Sequence, residues 1–240
     1  MSLEQKSSAP DAWSVANQPA RREFLARVRK ALGRTGESVE RPVSRPQRNE
    51  AVIRQVAADD PARSARWMAQ AAQNGAKVAA ANLADLPTII EGFLAGHKTD
   101  RVMLDFAGPM PSGVTELLQR RGAQVEMWTR PDCGKVVFDC DVAITDCRYG
   151  LADTGALLVW SDASFGRSAT LTIPLHIVVL PAKQIVADMV DGVDRMLADT
   201  PGGIPSNIVI INGPSKTADI EMNLVTGVHG PKYLCVAVVN

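Results

Sequence analysis

Arg101-Val102-Met103-Leu104-Asp105-Phe106-Ala107-Gly108-Pro109-Met110-Pro111-Ser112-Gly113-Val114-Thr115-Glu116-Leu117-Leu118-Gln119-Arg120-Arg121-Gly122-Ala123-Gln124-Val125-Glu126-Met127-Trp128 is the stretch that decides the fold. It reads as an apolar strand over Arg101–Phe106, a Gly/Pro turn, a helix over Ser112–Arg121 and a second strand over Gln124–Trp128. Two strands separated by a helix make a βαβ unit, whose strands are parallel. The same alternation extends both ways. Upstream, a helix from Glu50 that includes Trp67 and Met68 ends near Asn74-Gly75; a strand over Lys77–Ala81 and a helix over Leu86–Leu94 follow. Downstream come strands at Val142–Thr145, Ala156–Trp160 and Leu175–Leu180, then a helix over Lys183–Leu197. A buried strand at Ile208–Ile211, a helix over Thr217–Val225 and an edge-forming strand at Tyr233–Val239 complete the series. The ten residues between Val142–Thr145 and Ala156–Trp160 leave no room for a crossover helix, so a turn is expected there. The expectation is an α/β fold with a mostly parallel central sheet.

The first 49 residues differ from the rest. They hold ten Lys or Arg against five Asp or Glu, whereas the whole chain balances 26 against 26. Residues 1–18 read as disordered, and Pro19 is expected to open an amphipathic helix that ends at Gly33, with Phe24, Leu25, Val28 and Leu32 on one side. Residues 34–49, with Pro42 and Pro46, read as a linker. The division is therefore 1–49, a basic helix and linker, and 50–240, an α/β domain. Zero net charge argues against a nucleic-acid partner. The absence of a long apolar run argues against a membrane span, and a cytoplasmic location is expected.

Four cysteines stand at 133, 140, 147 and 235. The six-residue gaps between the first three are longer than those of zinc or iron–sulfur motifs, so this chain by itself is expected to bind no metal and no cofactor. Buried apolar positions in or beside strands are the expected places for them.

The polar turns carry the candidate chemistry. Ile208–Ile211 runs into Gly213-Pro214-Ser215-Lys216-Thr217, which would place free helix amides, a capping hydroxyl and a lysine at the carboxyl end of a strand, a setting for an anion. The segment is not a phosphate loop of the Walker type, because Ser215 precedes the lysine. Asp219 and Glu221 follow in the expected first helical turn, and two residues apart they face different ways. His229, between Gly227 and Gly230, is a candidate acid or base. Asp153-Thr154-Gly155 precedes a strand and could line a pocket. In the loop Ser161–Thr170, Arg167 is suited to clamping an anion. The catalytic candidates are thus His229 and Asp219; the substrate-binding candidates are Asp153, Thr154, Gly155, Arg167, Gly213, Ser215, Lys216 and Thr217. His176, inside an apolar run, reads as a core histidine. All of this assumes that the turns around residues 153, 215 and 229 meet at one rim of the sheet.

Four segments together, Ala152–Leu157, Leu175–Val179, Gly213–Glu221 and Gly227–Pro231, resemble the LUD domain family, nearest to its lactate-utilisation protein C type. The resemblance runs from about Trp67 to the end. It implies a three-layer fold of the NagB/RpiA/CoA-transferase-like kind, and a role in bacterial oxidation of L-lactate to pyruvate beside partner proteins that carry the iron–sulfur clusters. Two functions stay open on this basis. One is an accessory subunit that binds a small carboxylate. The other is a stand-alone isomerase or transferase acting on a phosphosugar or acyl-CoA. Whether the chain is an enzyme, and whether it forms a homodimer, the sequence leaves open.

Overall fold

The computed structural model describes residues 12–33, 62–129, 132–162, 165–217 and 225–240. The chain divides into two compact units, Met1–Arg48 and Asn49–Asn240. The first contains helix α1, Ala12–Ala31, with Pro19 inside it. Pro19 therefore does not open the helix, and residues 12–18 are helical. A proline with a full turn of helix before it sacrifices one hydrogen bond of the ladder, which the flanking turns outlast. The remaining expectations of disorder and linker, at residues 1–11 and 34–49, lie outside the described residues.

In the second unit, six strands form a sheet in the order β1 (Lys77–Ala81), β12 (Tyr233–Val239), β7 (Leu175–Pro181), β4 (Val142–Asp146), β2 (Arg101–Asp105) and β3 (Gln124–Met127). Every pairing in it is parallel. Near-continuous burial of β2, β4, β7 and β12 explains their unbroken apolar runs, because both faces of a parallel sheet are covered. Helices α3 (Leu86–Leu94) and α4 (Val114–Arg120) cover one face, packing Leu86, Ile90, Leu117 and Leu118 onto Val102, Ile144 and Ile177. On the other face lie α2 (Arg63–Gln73), through Trp67 and Ala71, and a four-stranded sheet ordered β8 (Ile185–Val186), β5 (Tyr149–Leu151), β6 (Ala156–Trp160), β9 (Ile208–Ile211). The short helices α5 (Cys133–Val136) and α6 (Arg167–Leu171) complete that side, and α7 (Met189–Asp199) backs the small sheet through Met196 on Leu158 and Trp160. The α/β architecture with a mostly parallel, helix-flanked central sheet is thus present. No helix among the described residues is long and apolar enough to cross a membrane.

Several local expectations give way. Val142–Asp146 and Ala156–Trp160 are not neighbours joined by a turn; they belong to different sheets, and β5 between them pairs antiparallel with β6. The helix expected from Lys183 begins at Met189, where the Asp188 side chain accepts from the Asp191 amide at 3.0 Å and caps it. Residues 182–186 form a helical turn and strand β8 instead. The loop expected over Ser161–Thr170 becomes helical at Arg167. Strand β9 is not buried: Ile208 and Ile210 are 39% and 48% exposed, since it is an edge with one face to solvent. Strand β12 is not an edge but lies between β1 and β7.

Candidate functional site

The parallel strands all end on one rim, where the chain must turn into the covering layers and cannot close the surface. Ligand crevices of open α/β sheets form there. In this molecule the carboxyl ends of β1, β12, β7, β4 and β2 surround a cleft of about 860 Å3. Its walls are mainly apolar, with Phe106, Pro109 and Met110 from the turn after β2, Val179 and Pro181 from β7, and Val239 from β12.

A few polar groups enter this lining. The Asp146 carboxylate, at the end of β4, accepts from the amides of Ala107 at 3.1 Å and Gly108 at 3.0 Å. Burial raises its pKa above the usual carboxylate value, although the two amides favour the charged form. Lys183 contributes an exposed ammonium from the turn after β7, and makes no ion pair among the described residues. Beside it the Gln184 Oε1 atom is buried without a hydrogen-bond partner. Ser112 adds a hydroxyl. A cation, an ionisable carboxyl and an amide among apolar walls can orient a small polar molecule. Sequence reasoning passed over all four. The signals were the Gly108-Pro109-Met110-Pro111 turn after a strand and Pro181 at the end of the apolar run before Lys183.

Behind the cleft, the second face of the main sheet carries buried polar side chains. Asp105 and Thr145 are register partners, and the Thr145 hydroxyl lies 2.9 Å from His176 Nε2. Because that hydroxyl donates to the Asp146 carbonyl at 2.8 Å, it accepts from His176, so the ring carries its proton on Nε2. The expected core histidine is there, fully buried, with Nδ1 unpartnered, and burial drives its pKa down to about 3. Asp105 is 1% exposed and accepts from the Gly166 amide at 2.9 Å through Oδ2, while Oδ1 has no partner. Burial pushes its carboxyl up to about 7, with the negative charge of Asp146 adding to the rise.

These two groups pull stability in opposite directions. Between the ordinary 3.8 and about 7 the folded state keeps the Asp105 proton that the unfolded state releases, so stability falls as pH rises. Between 6.5 and about 3 only the unfolded state protonates its histidine, so stability falls as pH drops. Asp105→Asn removes the first effect. Relative to the parent, that variant should gain stability as pH rises from about 3.8 to about 7 and keep the gain above it, so that at pH 8 urea unfolding places it about 1–3 kcal/mol above the parent. Equal midpoints at pH 8 would mean that Asp105 carries no such burden.

The three turns singled out in the sequence do meet, around the carboxyl end of α2. Asn74 Nδ2 donates to the Thr154 carbonyl at 2.8 Å and to Asn212 Oδ1 at 2.6 Å, and Lys216 Nζ donates to the Asn74 carbonyl at 2.9 Å. The Ser215 amide donates to the Pro231 carbonyl at 2.9 Å, and the Gly227 amide to the Ser215 carbonyl at 2.9 Å. The meeting point is at the amino ends of β1 and β12, opposite the cleft, since β1 begins at Lys77 and β12 at Tyr233. Nor does a helix start at Thr217: Lys216–Thr217 pairs antiparallel with Val225–Thr226, which turns the amides of this segment toward a neighbouring strand. Asp219 and Glu221 lie outside the described residues. Asp153 receives its own neighbour's hydroxyl, Thr154 Oγ1, at 3.1 Å. Gly155 and Gly213 have φ of 70° and 82°, and a Cβ on either would strike α2 backbone or Asn74. Close approach therefore accounts for both. Arg167 and His229 are exposed, with no hydrogen bond to Lys216 among the described residues.

Cys140, Cys147 and Cys235 are buried in or beside strands, as expected, whereas Cys133 is only partly buried and opens helix α5. Burial pushes the thiols of Cys140 and Cys235 up to about 11, and that of Cys147 well above its ordinary value. Among the described residues no cluster of His, Cys, Asp and Glu could hold a metal ion.

Comparison with known proteins places this geometry in a lineage. A relative from Halalkalibacterium halodurans named lactate utilization protein C is 38% identical over 132 residues, covering 53% of this chain and 56% of that protein. A Bacillus subtilis protein of the same name is 40% identical over 93 residues, 38% of this chain and 39% of that protein. The matched stretch thus spans about half the length of these relatives or less. A crystal structure of a DUF162 family protein from Deinococcus radiodurans superposes with a TM-score of 0.57 at 23% identity, over 74% of this chain and 96% of that one, which supports the fold. The LUD domain matches residues 64–239. That span takes in both sheets and the cleft, and the chain belongs to the LUD domain family.

Proposed function

We propose that this protein is a small-carboxylate-binding component of a bacterial lactate-utilisation system, acting in the cytoplasm with partner proteins that carry the iron–sulfur clusters for oxidation of L-lactate to pyruvate. The relatives' names support the system, and the carboxyl-edge cleft supports this location for the site. The observation that carries the reading is the presence of Lys183 and Asp146 in one apolar-walled cleft. A 2-hydroxy acid matches this pair: its carboxylate meets the Lys183 ammonium, its hydroxyl donates to Asp146, and its methyl group rests on the apolar wall. Oxidation of that hydroxyl to a ketone removes the donor, so Asp146 distinguishes lactate from pyruvate. The electrons leave through the partners, not through a group on this chain.

Calorimetric titration with L-lactate and pyruvate tests this. Lys183→Met should weaken both by about 1.5–3 kcal/mol, the range for hydrogen bonds to charged groups. Asp146→Asn should cost lactate more than pyruvate. Undiminished binding in Lys183→Met would remove the cleft from consideration.

A competing location for the same carboxylate is the seam around Asn74, where Asp153, Thr154, Gly155, Gly213, Ser215, Lys216 and Thr217 gather, with His229 as the acid–base group; Arg167 follows Gly166, whose amide meets Asp105 at the carboxyl end of β2, and Asp219 lies outside the described residues. Two polar turns bonded to one helix end, and a third bonded to Ser215, favour it. Lys216→Met is the discriminating variant: a loss there and none at Lys183 would move the site to the amino edge. Stand-alone isomerase or transferase chemistry would show instead as turnover of a phosphosugar or acyl-CoA by the isolated chain.

A further inference from the structure

A free strand edge is a row of unpaired N–H and C=O groups that another chain can extend, so sheets defend their edges with charge, shortness or cover. Of the four strands that end the two larger sheets, three are defended in this way. Strand β1 begins at the exposed Lys77. Strand β3 turns Glu126 inward, 1% exposed, with Arg101 Nε 3.6 Å from its carboxylate. Strand β8 is two residues long. Strand β9 has none of these devices: Ile208-Val209-Ile210-Ile211 is aliphatic throughout, without charge or proline.

The ladder between β9 and β6 tells which backbone groups are left over. The Ser161 amide donates to the Asn207 carbonyl at 3.2 Å, and these two residues continue the register that pairs Trp160 with Ile208. Directly opposed residues of an antiparallel ladder alternate between bonded and non-bonded pairs. Residues 207, 209 and 211 therefore aim their backbone groups at β6, whereas Ile208 and Ile210 aim theirs away from the sheet. Among the described residues no strand pairs with β9 on that side. The side chains of Ile208 and Ile210 share the outer face, 39% and 48% exposed, while Val209 and Ile211 pack on the core between the sheets.

Two outward residues placed evenly about Val209 are complementary to their own copy. A two-fold axis through Val209 sets Ile208 of one strand opposite Ile210 of the other, and Ile210 opposite Ile208. Each such pair exchanges two hydrogen bonds, which satisfies every outward N–H and C=O of both strands. It also lays isoleucine on isoleucine across the outer face, with no charge to repel the copy. We infer that β9 is a self-association surface, pairing antiparallel with β9 of a second copy and joining the two small sheets into one. The contact is isologous and closes at two copies. Four strand residues a side fall short of the ~1,200 Å2 of a standard interface, so the pair exchanges with free monomer. It uses no residue of either candidate carboxylate site, so it stands or falls apart from the lactate reading.

Sedimentation velocity of the full chain from about 1 to 500 µM should show a reversible shift from monomer to dimer. Ile210→Pro removes one outward N–H and spares the ladder to β6, because an edge position facing solvent tolerates proline. Symmetry doubles the loss to two of the four bonds, and the dissociation constant should rise about tenfold or more. Ile210→Lys, at a side chain already half in water, should weaken the dimer in the same direction without touching the backbone. Phe138→Lys, on another element and 70% exposed, should leave it unchanged. Oxidation in a Cys133→Ser background reads the register. Val209→Cys faces its own copy in a non-bonded pair, with Cα atoms about 4.5 Å apart, and should cross-link. Ile208→Cys lies diagonal to its copy, roughly 7–8 Å away, and should not.

A chain that stays monomeric throughout this range overturns the inference. So does a dimer that ignores both Ile210 variants and disperses with Phe138→Lys, or one that cross-links through Ile208→Cys and not through Val209→Cys. Growth beyond two copies overturns it as well, because β9 would then meet a different surface head to tail.

Discussion

Gly155→Ala is expected to destabilise the α/β unit by about 3–5 kcal/mol, among the largest effects a single methyl group can have. Two costs combine. The residue has φ of 70°, where an L side chain crowds its own carbonyl at about 1–2 kcal/mol. The added Cβ would also lie 2.3 Å from the Ala71 amide nitrogen and 2.6 Å from the Gln70 carbonyl carbon. Those atoms are helix backbone, so no rotamer change relieves the clash and α2 must shift bodily. That shift would in turn part Asn74 from Thr154 and Asn212. Gly75→Ala is the control: its φ is 96°, but its nearest neighbours stand at 3.5 Å, so only the conformational cost of about 1–2 kcal/mol applies. Urea unfolding of both variants separates the two contributions. If they unfold at the same midpoint, α2 does not bear on the Asp153–Gly155 turn as closely as described.

Trp67→Ala should cost a similar amount, about 3–5 kcal/mol. The indole is fully buried between α2 and the two sheets, in the cluster with Leu157, Val178, Leu180 and Val236. Removing it leaves a cavity lined by residues of three elements that cannot collapse together. It also strips the partner from the Ala156 carbonyl, which accepts from Trp67 Nε1 at 2.9 Å. Trp67→Phe keeps most of the apolar contact and loses that donor, so about 1–3 kcal/mol should remain. A phenylalanine variant as unstable as the alanine one would assign the whole effect to the hydrogen bond, and thermal unfolding of the pair decides it.

Gly150 shows why the tryptophan has its place. A Cβ there would stand 2.9 Å from Trp67 Nε1, so the ring is admitted by a missing side chain on β5. Neither Gly150 nor Gly155 announces this in one dimension. Both stand in a stretch that reads as a turn, and the helix they receive lies some eighty residues earlier.

The strands β1, β2, β3 and β6 and helix α3 fall where the sequence puts them, within a residue or so. Their signals are local: an apolar run of strand length, or a helical stripe bounded by a turn. Where the expectation failed, the deciding contact was distant. Ile208–Ile211 has the composition of a buried strand but sits at the edge of the small sheet, exposed on one face. Lys183 follows an apolar strand, yet Asp188 sets the start of the helix. Thr217 reads as a helix start, yet Lys216–Thr217 pairs with Val225–Thr226. Propensity cannot foresee a partner strand.

The sequence by itself determined the fold class, the order of most strands and helices, the buried state of three of the four cysteines and of His176, and the family resemblance, because periodicity and short motifs are written in neighbouring residues. Tertiary structure alone decided which sheet each strand joins. It also decided that two of the polar turns close on Asn74 at the amino rim, with the third bonded to Ser215, while Asp146, Lys183 and Gln184 meet at the carboxyl rim. The physical reason is that a cleft belongs to the ends of strands that are adjacent in space: β4 and β7 are neighbours in the sheet though 28 residues separate the end of one from the start of the other, and no local pattern encodes that pairing.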